Sequence, residues 1–381
     1  MIDRQRIVTT GITAAAAATV ALVLWLKPWH SGSLTEPDMK PDPIEVHAQP
    51  TGRTVDIVFA VDTTGSMGGL LDGAKRTVWS IANQVRDIEK NADLRIGLVA
   101  YRDSGDDYVT KDFSLTDDLD AVFAELSSYQ ASGGGDVPEN VDAALYDAVH
   151  KMKWRTGAKK MIFLVGDAAP SSRGEVPTFD VTAKVAASKQ IKINTIRCGQ
   201  DGDTARAWQQ IAFLGAGNFS TIQQDGGVQQ IATPYDDRMA QLAGEIDSTT
   251  VVYGDADARG RWEGKMAVTA SAPAAAKADR GSYYAKKGGV AAARDEDVVG
   301  GIATGAMSVD GIEQEKLPEN LRGKSKAELE ADLKARASKR QAAQKEISEL
   351  AKKRDEFIKA NAKDDKGFDS VVKKTIEEQL K

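Results

Sequence analysis

Between residues 53 and 250 the chain alternates short apolar runs with amphipathic stretches. Residues 54–61 read TVDIVFAV, a strand-like run, apolar apart from Thr54 and Asp56. Leu71, Ala74, Val78, Ile81, Val85 and Ile88 then recur at steps of three and four, the stripe of a helix packed on a sheet. Leu94, Ile96, Leu98 and Ala100 alternate as a strand, and a turn at 101–107 leads into a more polar strand at 108–115, forming an antiparallel edge hairpin. Further strands are predicted at 159–166, 191–198 and 219–222. Helices are predicted near 117–128, 139–152, 179–189, 204–214 and 228–247. Strands alternating with helices imply an α/β class, a doubly wound and mostly parallel sheet covered on both faces. Ligands of such sheets bind beyond the carboxyl ends of the strands.

The flanking segments have a different pattern. Residues 7–26 are uncharged and long enough to cross a bilayer, with Arg4 and Arg6 before them and Trp25, Lys27 and Trp29 at the far end. The expectation is an N-terminal transmembrane helix within residues 1–30, a cleaved signal peptide being the competitor. The arginines orient the amino end inward and the bulk of the chain to the exported side. The alternatives are secretion after cleavage and a cytoplasm-facing chain. Pro37, Pro41, Pro43 and Pro50 make 31–52 an extended linker. Alanine, glycine and lysine dominate much of 251–323, which reads as a linker or loosely packed connection. Residues 324–381 form a long charged helical extension. Its heptad trace runs through Leu329, Leu333, Arg336, Arg340, Ala343, Ile347, Leu350, Arg354 and Phe357. Three arginines on that stripe disfavour a self-sufficient coiled coil. One helix packed on the α/β domain, or a hairpin with 368–380, satisfies the pattern better.

The chemistry lies on the loops at the strands' carboxyl ends. Asp62, Thr64 and Ser66 alternate along one loop after the first strand, offering a carboxylate and two hydroxyls to a single point. Hard oxygen donors of this kind suit Mg²⁺, with Mn²⁺ or Ca²⁺ as alternatives. Asp167 stands at the end of the 159–166 strand, and Gly133-Gly134-Gly135-Asp136-Val137-Pro138-Glu139-Asn140 makes a glycine-rich loop that opens a helix at about Pro138. The set resembles the metal-ion-dependent adhesion site of von Willebrand factor type A domains, whose first loop reads Asp-x-Ser/Thr-x-Ser. The resemblance implies that Asp167 is the third-loop ligand and that the glycine-rich segment is the second loop. Asp136 then stands where the commoner pattern has threonine, as in one bacterial and extracellular branch of the family. The alternative role for Asp136 is to cap the following helix.

Composition removes other classes. A net charge of −6 argues against nucleic acid as a partner. His30, His47 and His150 are the histidines of the chain, too few and too scattered for a hydrolase triad. The segment 68–76 fails the phosphate-loop spacing, and the single Cys198 reads as a small buried hydrophobe. The expectation is therefore a non-enzymatic, membrane-anchored module that binds an unidentified protein partner through its metal-bearing rim. Two alternatives are an accessory subunit working with a separate ATPase and a scaffold whose metal only stabilises loops.

Overall fold

From its second residue onward, strand β1 (Thr54–Asp62) is buried, because helices cover both faces of the sheet it centres. The computed structural model describes residues 52–134, 139–228, 231–287, 296–361 and 366–381. The expected membrane helix at 7–26, the 31–52 linker apart from Gly52, and Asp136 lie outside these residues. Among the described residues no helix is long and apolar enough to cross a membrane.

Six strands form one sheet in the order β3-β2-β1-β4-β5-β6, with β2 (Asp93–Tyr101), β3 (Thr110–Thr116), β4 (Lys159–Gly166), β5 (Ile191–Cys198) and β6 (Phe219–Ile222). Only β3 is antiparallel, hydrogen-bonded to β2 along the edge. This is the expected doubly wound α/β architecture. Its order reverses direction between β1 and β4, so the loops after those two strands diverge to opposite faces and leave a crevice.

Alternate residues of β1 serve different cores. Val55, Ile57, Phe59 and Val61 face one cluster with helix α1 (Gly68–Ile88) and helix α2 (Leu119–Ser128). Val58 and Ala60 face the other, with α3 (Val141–His150), α4 (Phe179–Ser188) and α5 (Gly202–Leu214). Cys198 is buried in the first cluster. Burial also pushes its thiol pKa up, as expected of an inert side chain.

After β6 the chain departs from a simple repeat. Helix α6 (Asp236–Thr249) packs against later helices, and α7 (Ala256–Ala270) lies against α2. Helix α8 (Ala274–Lys286) lies between α1, α6 and α10 (Lys326–Asn361). Where composition suggested a loose connection at 251–323, these helices and the short α9 (Val298–Thr304) are docked, because a few large residues anchor alanine-rich surfaces. Trp262, Tyr283 and Tyr284 reach the main core. Arg280 is buried between Asp120 and Asp247, with hydrogen bonds of 2.7–2.9 Å to both carboxylates.

Helix α10 settles on the domain as a single helix, one of the two arrangements the heptad stripe allowed. Its Ala343, Ile347 and Ala351 join Met239, Leu242 and Ile246 of α6. Arg336 pairs with Asp332 of α10 itself, whereas the two buried stripe arginines are matched by acids from elsewhere in the chain. Arg340 pairs with Asp297, and Arg354 donates to Asp236 at 2.6 Å and to Asp279 at 2.7 Å. A buried arginine on a helix face is tolerable only with such partners.

Helix α11 (Phe368–Leu380) then returns to the sheet and packs on α1. Phe368, Val372, Ile376 and Leu380 enter the same core as Phe59, Phe163, Ile196 and Ile222. Its upper end is tied by Phe368 N–H donating to Gly226 O at 2.8 Å, and its lower end by Gln379 Nε2 donating to Asn194 Oδ1 at 2.7 Å. The α/β core expected to close by residue 250 is thus covered by the helix at 368–380.

Candidate metal centre

The parallel register of β1 and β4 sets Val61 beside Val165, so Asp62 ends its strand next to Gly166 and Asp167 follows immediately. Both carboxylates therefore sit at the point where strand order reverses. Gly166 is required for this approach. A Cβ there would come within 3.2 Å of Asp62 Oδ2 and 2.4 Å of the Tyr101 hydroxyl.

Asp62 is fully buried and Thr64 nearly so, while Ser66 is exposed at the mouth. Asp62 Oδ1 accepts from the Thr64 backbone N–H at 2.8 Å and from Thr64 Oγ1 at 2.7 Å. Thr64 Oγ1 lies 3.4 Å from Ser66 Oγ. The expected convergence of Asp62, Thr64 and Ser66 is present. Asp62 Oδ2 is buried with no hydrogen-bond partner among the described residues.

Backbone bonds clamp the second loop onto the first. Ser132 N–H donates to Thr63 O, and Gly65 N–H donates to Gly133 O. Gly133 and Gly134 adopt φ of +77° and +79°, which glycine takes without steric cost. Asp136 lies outside the described residues. The cap of α3 is Asn140, whose side chain accepts from Ala143 N–H, so the helix-capping role weighed for Asp136 is filled by another residue.

Glu139 was quoted in the sequence motif without a role. Its backbone bridges to the segment after Asp167, N–H to Ala169 O and O from Ser171 N–H. Its side chain is 3% exposed, and Oε2 has no partner among the described residues. A Cβ built on Gly134 would lie 3.1 Å from Thr64 Cβ and 3.6 Å from Glu139 Oε1, which puts this carboxylate beside the Thr64 loop. A glutamate just inside a glycine-rich loop is a signal the sequence offered. It has the form of an ordinary first-turn acid, so it did not stand out.

Burial raises the Asp62 pKa to about 7, against the pull of its two Thr64 hydrogen bonds and with help from Asp167. Burial likewise lifts Glu139 to about 8, reinforced by the charges of Asp62, Asp103, Asp106 and Asp167. Each of these two buried carboxylates keeps one oxygen without a hydrogen-bond partner among the described residues. Among the described residues no group of three or more His, Cys, Asp or Glu is placed to hold a metal by itself. The donor set here combines carboxylates with hydroxyls and suits a hard divalent ion.

A pH dependence follows from the sign of these shifts. The folded metal-free chain retains protons that the unfolded chain releases above about pH 4, so stability falls as pH rises until about 7 to 8. Urea midpoints in EDTA are expected to decrease from pH 5 to pH 8, and excess Mg²⁺ is expected to remove that decrease. A flat profile in EDTA would contradict the burial of uncompensated carboxylates.

Residues 56–234 match the family model of the von Willebrand factor type A domain. The chain contains a von Willebrand factor type A domain. Over 116 residues it is 31% identical to the putative ariadne-like RING finger protein R811 of Acanthamoeba polyphaga mimivirus, a match covering 30% of this chain and 11% of that protein. Over 117 residues it is 28% identical to the alpha-protein kinase vwkA of Dictyostelium discoideum, covering 30% and 18%. The chain thus spans less than a fifth of the length of these curated relatives.

Among solved structures, BatB from Bacteroides thetaiotaomicron is similar at 16% identity and a TM-score of 0.35, over 44% of this chain and 90% of that one. Proximal thread matrix protein 1 from the mussel byssus, with a zinc-occupied MIDAS motif, has 16% identity and a TM-score of 0.37, covering 46% and 43%. Helices α6 to α11 lie beyond the matched residues.

Proposed function

We propose that the protein is a membrane-anchored, metal-dependent protein-binding module. A type A domain is a protein-interaction module, and the proposal adds the ion and the anchor. Asp62, Thr64 and Ser66 would hold Mg²⁺, with Asp167 and Glu139 supplying charge from the neighbouring loops and Asp136 from the second loop. When bound, the ion would supply Lewis acidity towards an oxygen of the partner. The observation that carries the reading is the pair of buried carboxylate oxygens, Asp62 Oδ2 and Glu139 Oε2, without hydrogen-bond partners among the described residues. Anchoring rests on the apolar segment 7–26.

The reading is non-enzymatic. Cys198 is buried, and His150 stacks on Tyr146 with its ring nitrogen against the Tyr146 carbonyl, which leaves neither poised as a nucleophile or base. Capture of the partner from native membranes should be lost with EDTA, restored by Mg²⁺, and lost again in Asp62→Ala. Capture unaffected by both treatments would overturn the metal-dependent reading.

A further inference from the structure

Asp167 does not stand free at the rim. Gln224, on the loop after β6, donates from Nε2 to Asp167 Oδ2 at 2.6 Å, and the same nitrogen lies 3.5 Å from the Ser66 carbonyl oxygen. The carbonyl end of the amide is accommodated by Gly199, which has φ of +73°. A Cβ there would come within 2.3 Å of Gln224 Oε1.

The loop that carries Gln224 is held on three sides. Gly69 and Gly73 lie one turn apart on α1. A Cβ on the first would approach Asp225 Cα to 2.9 Å, and one on the second would approach Val228 Cγ2 to 2.8 Å. Gly226 N–H donates to Gln223 O, Gly227 N–H donates to Asp225 Oδ1, and Gly226 O accepts from Phe368 N–H of α11. The Gln224 side chain is exposed at the end of this fixed backbone. Its amide is therefore delivered to the carboxylate without contributing to the core.

We propose that Gln224 is a resident competitor for the third-loop carboxylate: its amide holds Asp167 Oδ2 while the site is metal-free and must release it when a divalent cation engages that oxygen. This deepens the metal reading above and rests on it. An amide donor on Asp167 lowers the negative potential that draws a cation, and an ion that engages Oδ2 must first break that bond. Removing the amide removes both penalties.

The test is calorimetry of Mg²⁺ alone with the full-length chain. Gln224→Ala is expected to bind Mg²⁺ about tenfold more tightly than wild type, the factor corresponding to loss of one competing hydrogen bond to a charged group. Its thermal midpoint in EDTA should stay close to that of wild type, because Gln224 is exposed. In an Asp167→Asn background the Gln224→Ala gain should disappear, which ties the effect to that contact. Weaker or unchanged binding by Gln224→Ala, with wild-type binding still abolished by Asp62→Ala, would overturn the competitor role alone. Absence of Mg²⁺ binding in wild type and variant alike would overturn the metal site and the competitor together.

Discussion

A chain ending at Asn361 is expected not to fold, although it retains every strand of the sheet. Phe368, Val372, Ile376 and Leu380 are each 2% exposed or less, and they cover Phe59, Phe163 and Ile222 on the α1 side. Removing four such side chains forfeits on the order of 6–12 kcal/mol of burial, an upper figure because the unfolded chain already hides some surface. Domain stabilities are typically about 5–15 kcal/mol, so the loss consumes most or all of the total. Near-ultraviolet circular dichroism should show no fixed aromatic environment in the truncated chain. The single substitution Phe368→Ala should cost about 3–5 kcal/mol in urea unfolding. A truncated chain with a wild-type melting curve would mean that α11 is an appendage and not part of the core.

Arg280→Ala is expected to be the most damaging single substitution of a charged residue. Arg280 is 2% exposed and meets both Asp120, which is fully buried, and Asp247. Its guanidinium also lies 5.2 Å from the Tyr284 ring centroid. Alanine leaves two carboxylates in an apolar setting without their counter-ion, a loss of about 3–5 kcal/mol. Replacing the whole set with apolar residues, Arg280→Met with Asp120→Leu and Asp247→Leu, should recover much of that loss. Equilibrium unfolding of the single and triple variants separates the two outcomes. Equal destabilisation by both would show that the arginine works through packing alone.

The parts legible in the sequence were those set by local pattern. The apolar run at 54–61 and the three-and-four stripe from Leu71 to Ile88 located β1 and α1, and the spacing of Asp62, Thr64 and Ser66 located the first loop of the site. The heptad stripe of α10 was legible as a packing face through Leu329, Leu333, Ala343 and Ile347, and its arginines spoke against a self-sufficient coiled coil. Which acids they find, Asp297, Asp236 and Asp279, depends on helix docking that no local spacing encodes. The return of α11 to the sheet is a contact across 185 residues of sequence at Asn194 and Gln379, invisible to periodicity. Gln224 was equally hidden, since an exposed glutamine in a turn has no pattern of its own until the loop is seen against Asp167.

The most direct measurement of the central claim is isothermal titration of Mg²⁺ into the purified full-length protein and its Asp62→Ala variant. The account predicts one divalent ion per chain in the wild type, with binding strengthening from pH 6 to pH 8 as protons leave the buried carboxylates, and none in Asp62→Ala. Retention of wild-type affinity by Asp62→Ala would contradict it.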